Sequence, residues 1–154
     1  MEIKELKKRP GIEQNTKLDK AYIQFNTLLA ELRKKSLPEE IVKSINDRID
    51  HINSISESEK EPRAQIRKVQ TNILKLIEKK LKLVPKNHYR NTWLAVGMSA
   101  FGLPIGVVFG ASLGNMAFLG VGLPIGMAMG IAVGSGMDKK ALEEGRQIDF
   151  EVKA

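Results

Sequence analysis

Apolar residues recur at helical spacing through the first eighty-odd positions, and the periodicity then gives way to a block in which almost every position is apolar or small. Leu18, Tyr22, Phe25, Leu29 and Leu32 follow one another at steps of four and three, which predicts a helix with a single buried stripe over about 16–35. Pro38 disfavours helical geometry at Leu37 and should end it. Ser36-Leu37-Pro38-Glu39 has the S-x-x-E form of a capping box, and Val42, Ile45, Ile49 and Ile52 then share one face, predicting a second helix over about 37–55. Ser58-Glu59-Lys60-Glu61 repeats the signal, with Pro62 in the first turn of a third helix over about 59–83. Its stripe is Ile66, Val69, Ile73, Leu76 or Ile77, and Leu81, and Pro85 lies beyond its end. Residues 1–15, with Pro10-Gly11, read as a loose polar leader, and residues 16–90 as a helical bundle or coiled-coil hairpin. The stripes are narrow, so they can close on each other or on further copies of the chain.

The block from Thr92 to Met137 contains no Asp, Glu, Lys, Arg or His in 46 positions. A bilayer core about 30 Å thick needs roughly 20 helical residues, so the block predicts two spans, about 92–113 and 117–137. Gly114-Asn115 supplies the turn, because both residues tolerate a left-handed backbone. A buried pair of helices in a soluble protein is the alternative, but such helices ordinarily keep a polar face and these have none. The expected fold is all-α, a cytoplasmic helical region followed by a two-helix transmembrane hairpin.

Within the block, Gly102, Gly106, Gly110 and Gly114 form one ladder, and Gly122, Gly126, Gly130 and Gly134 form another. A spacing of four keeps each ladder on one slowly drifting face. Helices in lipid gain little from the hydrophobic effect on meeting, so small residues that allow close backbone approach mark packing faces. Ala128, Ala132 and Gly136 form a second small stripe, suited to a neighbouring molecule. Pro104 and Pro124 occupy matching places in two Gly-Leu-Pro-Ile-Gly repeats, and each should kink or restart its helix.

Charge refines this picture. Residues 1–62 balance at 12 basic and 12 acidic, whereas residues 63–90 carry nine basic residues against Glu78 alone, and residues 138–154 net −1. The chain's formal charge of +7 therefore reports one segment, directly before the apolar block. Lys75, Lys79, Lys82, Lys86 and Arg90 precede the spans and Lys139 and Lys140 follow them, with Tyr89 and Trp93 at headgroup level. Basic flanks on both sides of an uncharged turn place both termini in the cytoplasm, in a bacterial inner membrane whose anionic lipids the basic helix can meet. No aromatic interleaves the lysines before Tyr89, so nucleic acid is not the expected partner.

Catalytic chemistry finds no foothold. There is no cysteine, which excludes a disulfide framework and a thiolate metal site. The first residues lack the apolar core of a secretory signal. Asp47, Asp50 and His51 could loosely surround a cation, but a solvated polar face is the better reading, and His88 reads as an interface residue. Phosphate-loop, nucleophile-elbow and zincin patterns are missing. No enzyme, cofactor or metal is expected. Residues 147–152 alternate apolar and polar, which suits a frayed end or a strand added to a partner's sheet.

The paired runs GLPIGVVFGASLG and GLPIGMAMGIAVG resemble the membrane segments of poorly characterised bacterial glycine-zipper proteins, over residues 92–137. That resemblance implies a membrane hairpin and no activity. Many such proteins are outer-membrane lipoproteins, from which this chain departs in lacking a signal peptide and a cysteine. The expectation is a homo-oligomeric membrane tether or scaffold, with a small pore-forming or membrane-disrupting protein as the alternative.

Overall fold

Helices account for nearly all of the regular structure, and the described chain comprises residues 2–7, 16–54 and 62–152 of a computed structural model. The chain divides into two units, one built from residues 1–85 and 148–154 and the other from residues 86–147.

The first unit contains α1 (Thr16–Arg33), α2 (Glu39–Ser54) and α3 (Pro62–Leu81). Their stripes close on one another within a single chain: Phe25, Leu28, Leu29, Leu32, Ile45, Ile49, Ile66, Ile73 and Ile77 are almost completely buried together. Each such side chain contributes about 1.5–3 kcal/mol relative to an exposed one. The α1 stripe is wider than its five periodic positions, because Ala21 and Leu28 are buried with them. Among the described residues four buried side-chain polar atoms lack a protein partner, Gln24 Nε2, Arg48 Nε, Arg63 Nε and Gln70 Oε1, and of the four residues Gln70 is the one buried as a whole, at 5% exposure.

Three details depart from the sequence reading. Ile41 and Val42 donate their backbone N–H groups to the Pro38 carbonyl, so α2 begins after Pro38 and Ser36 lies outside the capping position. The proline fixes its own φ near the helical value, which makes it a serviceable helix start. The second capping signal, residues 58–61, falls outside the described residues. More consequentially, the polar leader is not loose over residues 2–7: Ile3 and Leu6 are buried at 6% and 4% exposure in the helical core. The tail is likewise not frayed. Val84–Pro85 (β1) pairs with Gln147–Ile148 (β2), and Ile148 and Phe150 are buried in the same core. The alternating pattern thus finds its partner in its own chain, because two apolar side chains gain more from burial than a free end gains in entropy.

The second unit is a helical hairpin. Its first arm runs through α4 (His88–Gly97), a π-helical turn (Met98–Gly102) and α5 (Leu103–Ser112). Its second arm begins with a 3₁₀ turn (Met116–Phe118) and continues as α6 (Leu119–Glu143). Between the arms Gly114 takes φ +63° and Asn115 donates its N–H to the Gly110 carbonyl, while the Asn115 side chain accepts from the Ala117 N–H at 3.0 Å. The two Gly-Leu-Pro-Ile-Gly repeats behave differently. Before Pro104 the helix widens, and the Leu103 N–H reaches the Met98 carbonyl five residues back. Pro124 instead lies inside an uninterrupted α6. A π turn is one way to accommodate a ring that would otherwise press on the carbonyl four residues earlier.

Candidate functional site

The hairpin reverses the usual order of a folded core. Its buried positions are Gly97, Gly102, Gly106, Gly110, Gly122, Gly126, Gly130 and Gly134, with Asp138 and Ala141 at one end. Its large side chains point outward: Phe101 is 46% exposed, Leu103 50%, Val108 63%, Leu113 57% and Met116 59%.

The glycines meet antiparallel across the seam. A methyl group placed on Gly134 would come within 2.5 Å of the Arg90 Cα, and one on Gly106 within 2.5 Å of the Leu119 carbonyl oxygen. Gly130 faces the Trp93 carbonyl, Gly126 faces Gly97 and Gly102, and Gly122 faces Gly102 and Gly106. These neighbours are backbone atoms and cannot step aside as a side chain can. Only Gly110 is forgiving, its nearest atom being the Met116 sulfur at 3.3 Å. Each glycine costs about 1 kcal/mol of helix propensity relative to alanine, which the close backbone packing offsets.

Two positions differ from the ladders of the sequence. Gly114 belongs to the turn and touches nothing across the seam. Gly97, five residues before Gly102 and so out of step with a ladder of fours, lies in the seam against Gly126 and Gly130. The π turn between them supplies the extra residue that keeps both on one face. A proline inside the span was the available signal for such a shift in register. The stripe Ala128, Ala132 and Gly136 faces outward, and a methyl group placed on Gly136 would meet nothing within 4 Å.

At the open end, Asp138 does what a helix cap does, from the other arm. Its carboxylate accepts from the Tyr89 N–H at 3.0 Å and the Arg90 N–H at 2.9 Å, at the start of α4, while itself 7% exposed. Asn87, the residue before α4, is left-handed at φ 58° and offers no side-chain cap. A negative charge at a helix N-terminus is favoured by the helix dipole as well as by the hydrogen bonds. Along the chain Asp138 is only the first charge after the apolar block, and no local pattern marks it as a cap for the opposite arm.

Two hydroxyls of the first arm bond to its own backbone. Thr92 Oγ1 donates to the His88 carbonyl at 2.9 Å, and Ser99 Oγ to Ala95 at 3.0 Å. Lys75, Lys79, Lys82, Lys86, Arg90, Lys139 and Lys140 are exposed, and Tyr89 and Trp93 half-buried. Lys139 and Lys140 approach Glu143 and Glu144 at 3.9 Å, one turn on. Arg146 is held above the ordinary arginine range by its hydrogen bond to Glu144 and then by Tyr89. Lys82 closes α3 in a left-handed conformation at φ 58°, with the Leu83 N–H bonded to the Ile77 carbonyl at 3.3 Å.

A second built site lies in the first unit. Residues 2–7 run beside α1 and α2, and side-chain amides read their backbone. Asn46 Oδ1 accepts from the Lys4 N–H at 2.8 Å while its Nδ2 donates to the Glu2 carbonyl at 2.9 Å. Two turns on, Asn53 accepts from the Lys7 N–H at 3.0 Å and donates to the Glu5 carbonyl at 3.3 Å. Arg33 donates to the Ile3 and Lys4 carbonyls at 3.1 and 3.0 Å, and Lys4 pairs with Asp50 at 2.6 Å. Asp50 is thus engaged with an amine, and no group of three or more possible metal ligands occurs among the described residues.

No protein-family model matches this chain, and no curated protein or solved structure matches it either. Two helices, His88–Ser112 and Met116–Glu143, are long and apolar enough to cross a membrane, with mean hydropathy 1.9 and 2.0 over their most apolar stretches.

Proposed function

We propose that this protein is a membrane-anchored helical tether or scaffold, held in the bilayer by residues 92–137 and acting through its helical unit on the cytoplasmic side. One observation carries the reading: the hairpin buries glycine and exposes its large apolar residues. The core helix of a soluble protein is mostly buried, whereas the most apolar stretches of these helices are only 22% and 17% buried. Such a surface is stable against hydrocarbon and unfavourable against water.

Chain connectivity supports a common side for both ends of the hairpin. The first unit is assembled from residues before and after it, so a full span must return the chain to the side it left. The basic flanks favour the cytoplasmic face of a bacterial inner membrane, with anionic lipid at the surface. The seam glycines are used up within the hairpin, so self-association in the membrane falls to the outward stripe Ala128, Ala132 and Gly136.

Extraction of membranes with alkaline carbonate tests the proposal. The intact chain is expected to remain with the sedimented bilayer, and its release into the soluble fraction would overturn the reading. Reconstituted vesicles should stay sealed to an entrapped dye, as a tether requires and a pore does not.

A further inference from the structure

The two ends of the hairpin are built for different surroundings. At one end stand Lys86, Arg90, Lys139 and Lys140, with Tyr89 and Trp93 among them. Toward the other, from Ala100 through the turn to Gly134, the only polar side chains are Ser112 and Asn115, and the aromatic residues are Phe101, Phe109 and Phe118. Tyrosine and tryptophan mark headgroup level, and the turn has neither. Phe109, Leu113, Met116 and Phe118 lie about it with their side chains exposed.

The backbone of the turn is closed on itself. Six of the seven N–H groups from Leu113 to Leu119 find acceptors within it. Those of Leu113, Gly114 and Asn115 reach back to the carbonyls of Phe109, Ala111 and Gly110. The Ala117 N–H is taken by the Asn115 side chain, that of Phe118 by the Asn115 carbonyl, and that of Leu119 by the Met116 and Ala117 carbonyls. A turn in water can leave its donors to the solvent, whereas hydrocarbon demands internal partners.

We propose that the turn is sheathed by lipid acyl chains at the far edge of the bilayer core, so that the hairpin presents no loop to the compartment beyond. Its length agrees. Gly114 lies 24 residues after Arg90 and Asn115 lies 23 before Asp138, about 35 Å of helix. That exceeds the hydrocarbon, about 30 Å thick, and falls short of the whole bilayer with its headgroups, about 40–45 Å. With Arg90 and Asp138 among the near headgroups, the turn ends where the far acyl chains end. Every charge on the chain then faces one compartment, and whatever the helical unit tethers is met on that side. The proposal rests on the membrane reading above and adds to it the depth of the turn.

The chain has no cysteine, so single thiols report without background. Full-length Ser112→Cys and Ala117→Cys, both exposed at the turn, are reconstituted in phospholipid vesicles with a charged, membrane-impermeant maleimide on both sides of the bilayer. Thr71→Cys, exposed on α3, is the aqueous control. Only the thiolate reacts and hydrocarbon suppresses it, so the turn thiols should label at least ~10-fold more slowly than the control, and as fast once SDS dissolves the vesicles. A bimane attached at either position should be quenched by lipids brominated on their acyl chains. Labelling at the control rate, in a protein that alkaline carbonate leaves with the membrane, puts the turn in water and overturns the proposal while the membrane reading stands. Protection without quenching overturns it too, since protein and not lipid would then cover the turn. Release by carbonate removes the membrane reading and the proposal with it.

Discussion

The two units of this chain solve the packing problem in opposite ways. The first buries leucine, isoleucine and phenylalanine and leaves its charged residues outside, whereas the hairpin buries eight glycines and leaves valine, leucine, methionine and phenylalanine outside. Both bring helices into van der Waals contact. In water the contact is stabilised by removing apolar area from solvent, about 25 cal/mol per Å². Against hydrocarbon that gain disappears, and what remains is how closely two backbones can approach.

The comparison breaks most visibly if bulk is added where the hairpin has none. Gly126→Leu should part the arms, at more than about 4 kcal/mol, because the new side chain meets the backbone of Gly97 and Gly102. Hydrogen exchange in micelles would show it as lost protection through α4 and α6. Its mirror image is Ile45→Ala in the first unit, a fully buried residue whose truncation should cost about 2–5 kcal/mol by denaturant unfolding. A tolerated Gly126→Leu would mean that the glycines are composition and not contact.

Asp138→Ala comes next. Removing the carboxylate deprives Tyr89 and Arg90 of their acceptor, and the loss of a cap is worth about 1–2 kcal/mol. Faster amide exchange confined to the first turn of α4 is the expected signature. In the first unit the corresponding weak point is Gln70, whose buried Oε1 lacks a protein partner. Gln70→Leu should raise stability by about 1 kcal/mol, and a decrease in the denaturation midpoint would contradict that account.

The smallest expected effect is a titration that does nothing at neutral pH. Lys34 is raised above its ordinary 10.5 by the hydrogen bond and charge of Glu31, 2.5 Å away. A base whose pKa is raised on folding contributes in full below its unfolded value and loses the contribution only as pH rises through the folded one. The Lys34 side chain is 67% exposed and solvent screens it, although Glu31 is only 15% exposed, so Lys34→Met should leave the melting temperature nearly unchanged across about pH 6–9. A clear shift in that range would show the pair to be coupled to the core.

The three helices of the first unit were legible because water imposes periodicity: Leu18, Tyr22, Phe25, Leu29 and Leu32 announce a stripe, and all five are buried. The two apolar arms were legible for the complementary reason, that nothing polar interrupts them. Less legible were features whose meaning depends on distant residues. Ile3 and Leu6 sit in a segment too short to show a period, and only Asn46 and Asn53, some forty residues on, make its backbone a ligand. Gly97 stood out of step with its ladder until a π turn brought it back.

What the sequence by itself determined is where polar and apolar stretches lie and how glycine recurs, because those are properties of neighbours along the chain. The tertiary structure alone decided that residues 2–7 and 148–150 complete the helical core, that Asp138 caps the opposite arm, and that Pro104 and Pro124 in identical repeats have different surroundings. Each depends on which backbone groups are left over once the helices have packed. That remainder is fixed by the whole fold and is written in no single segment.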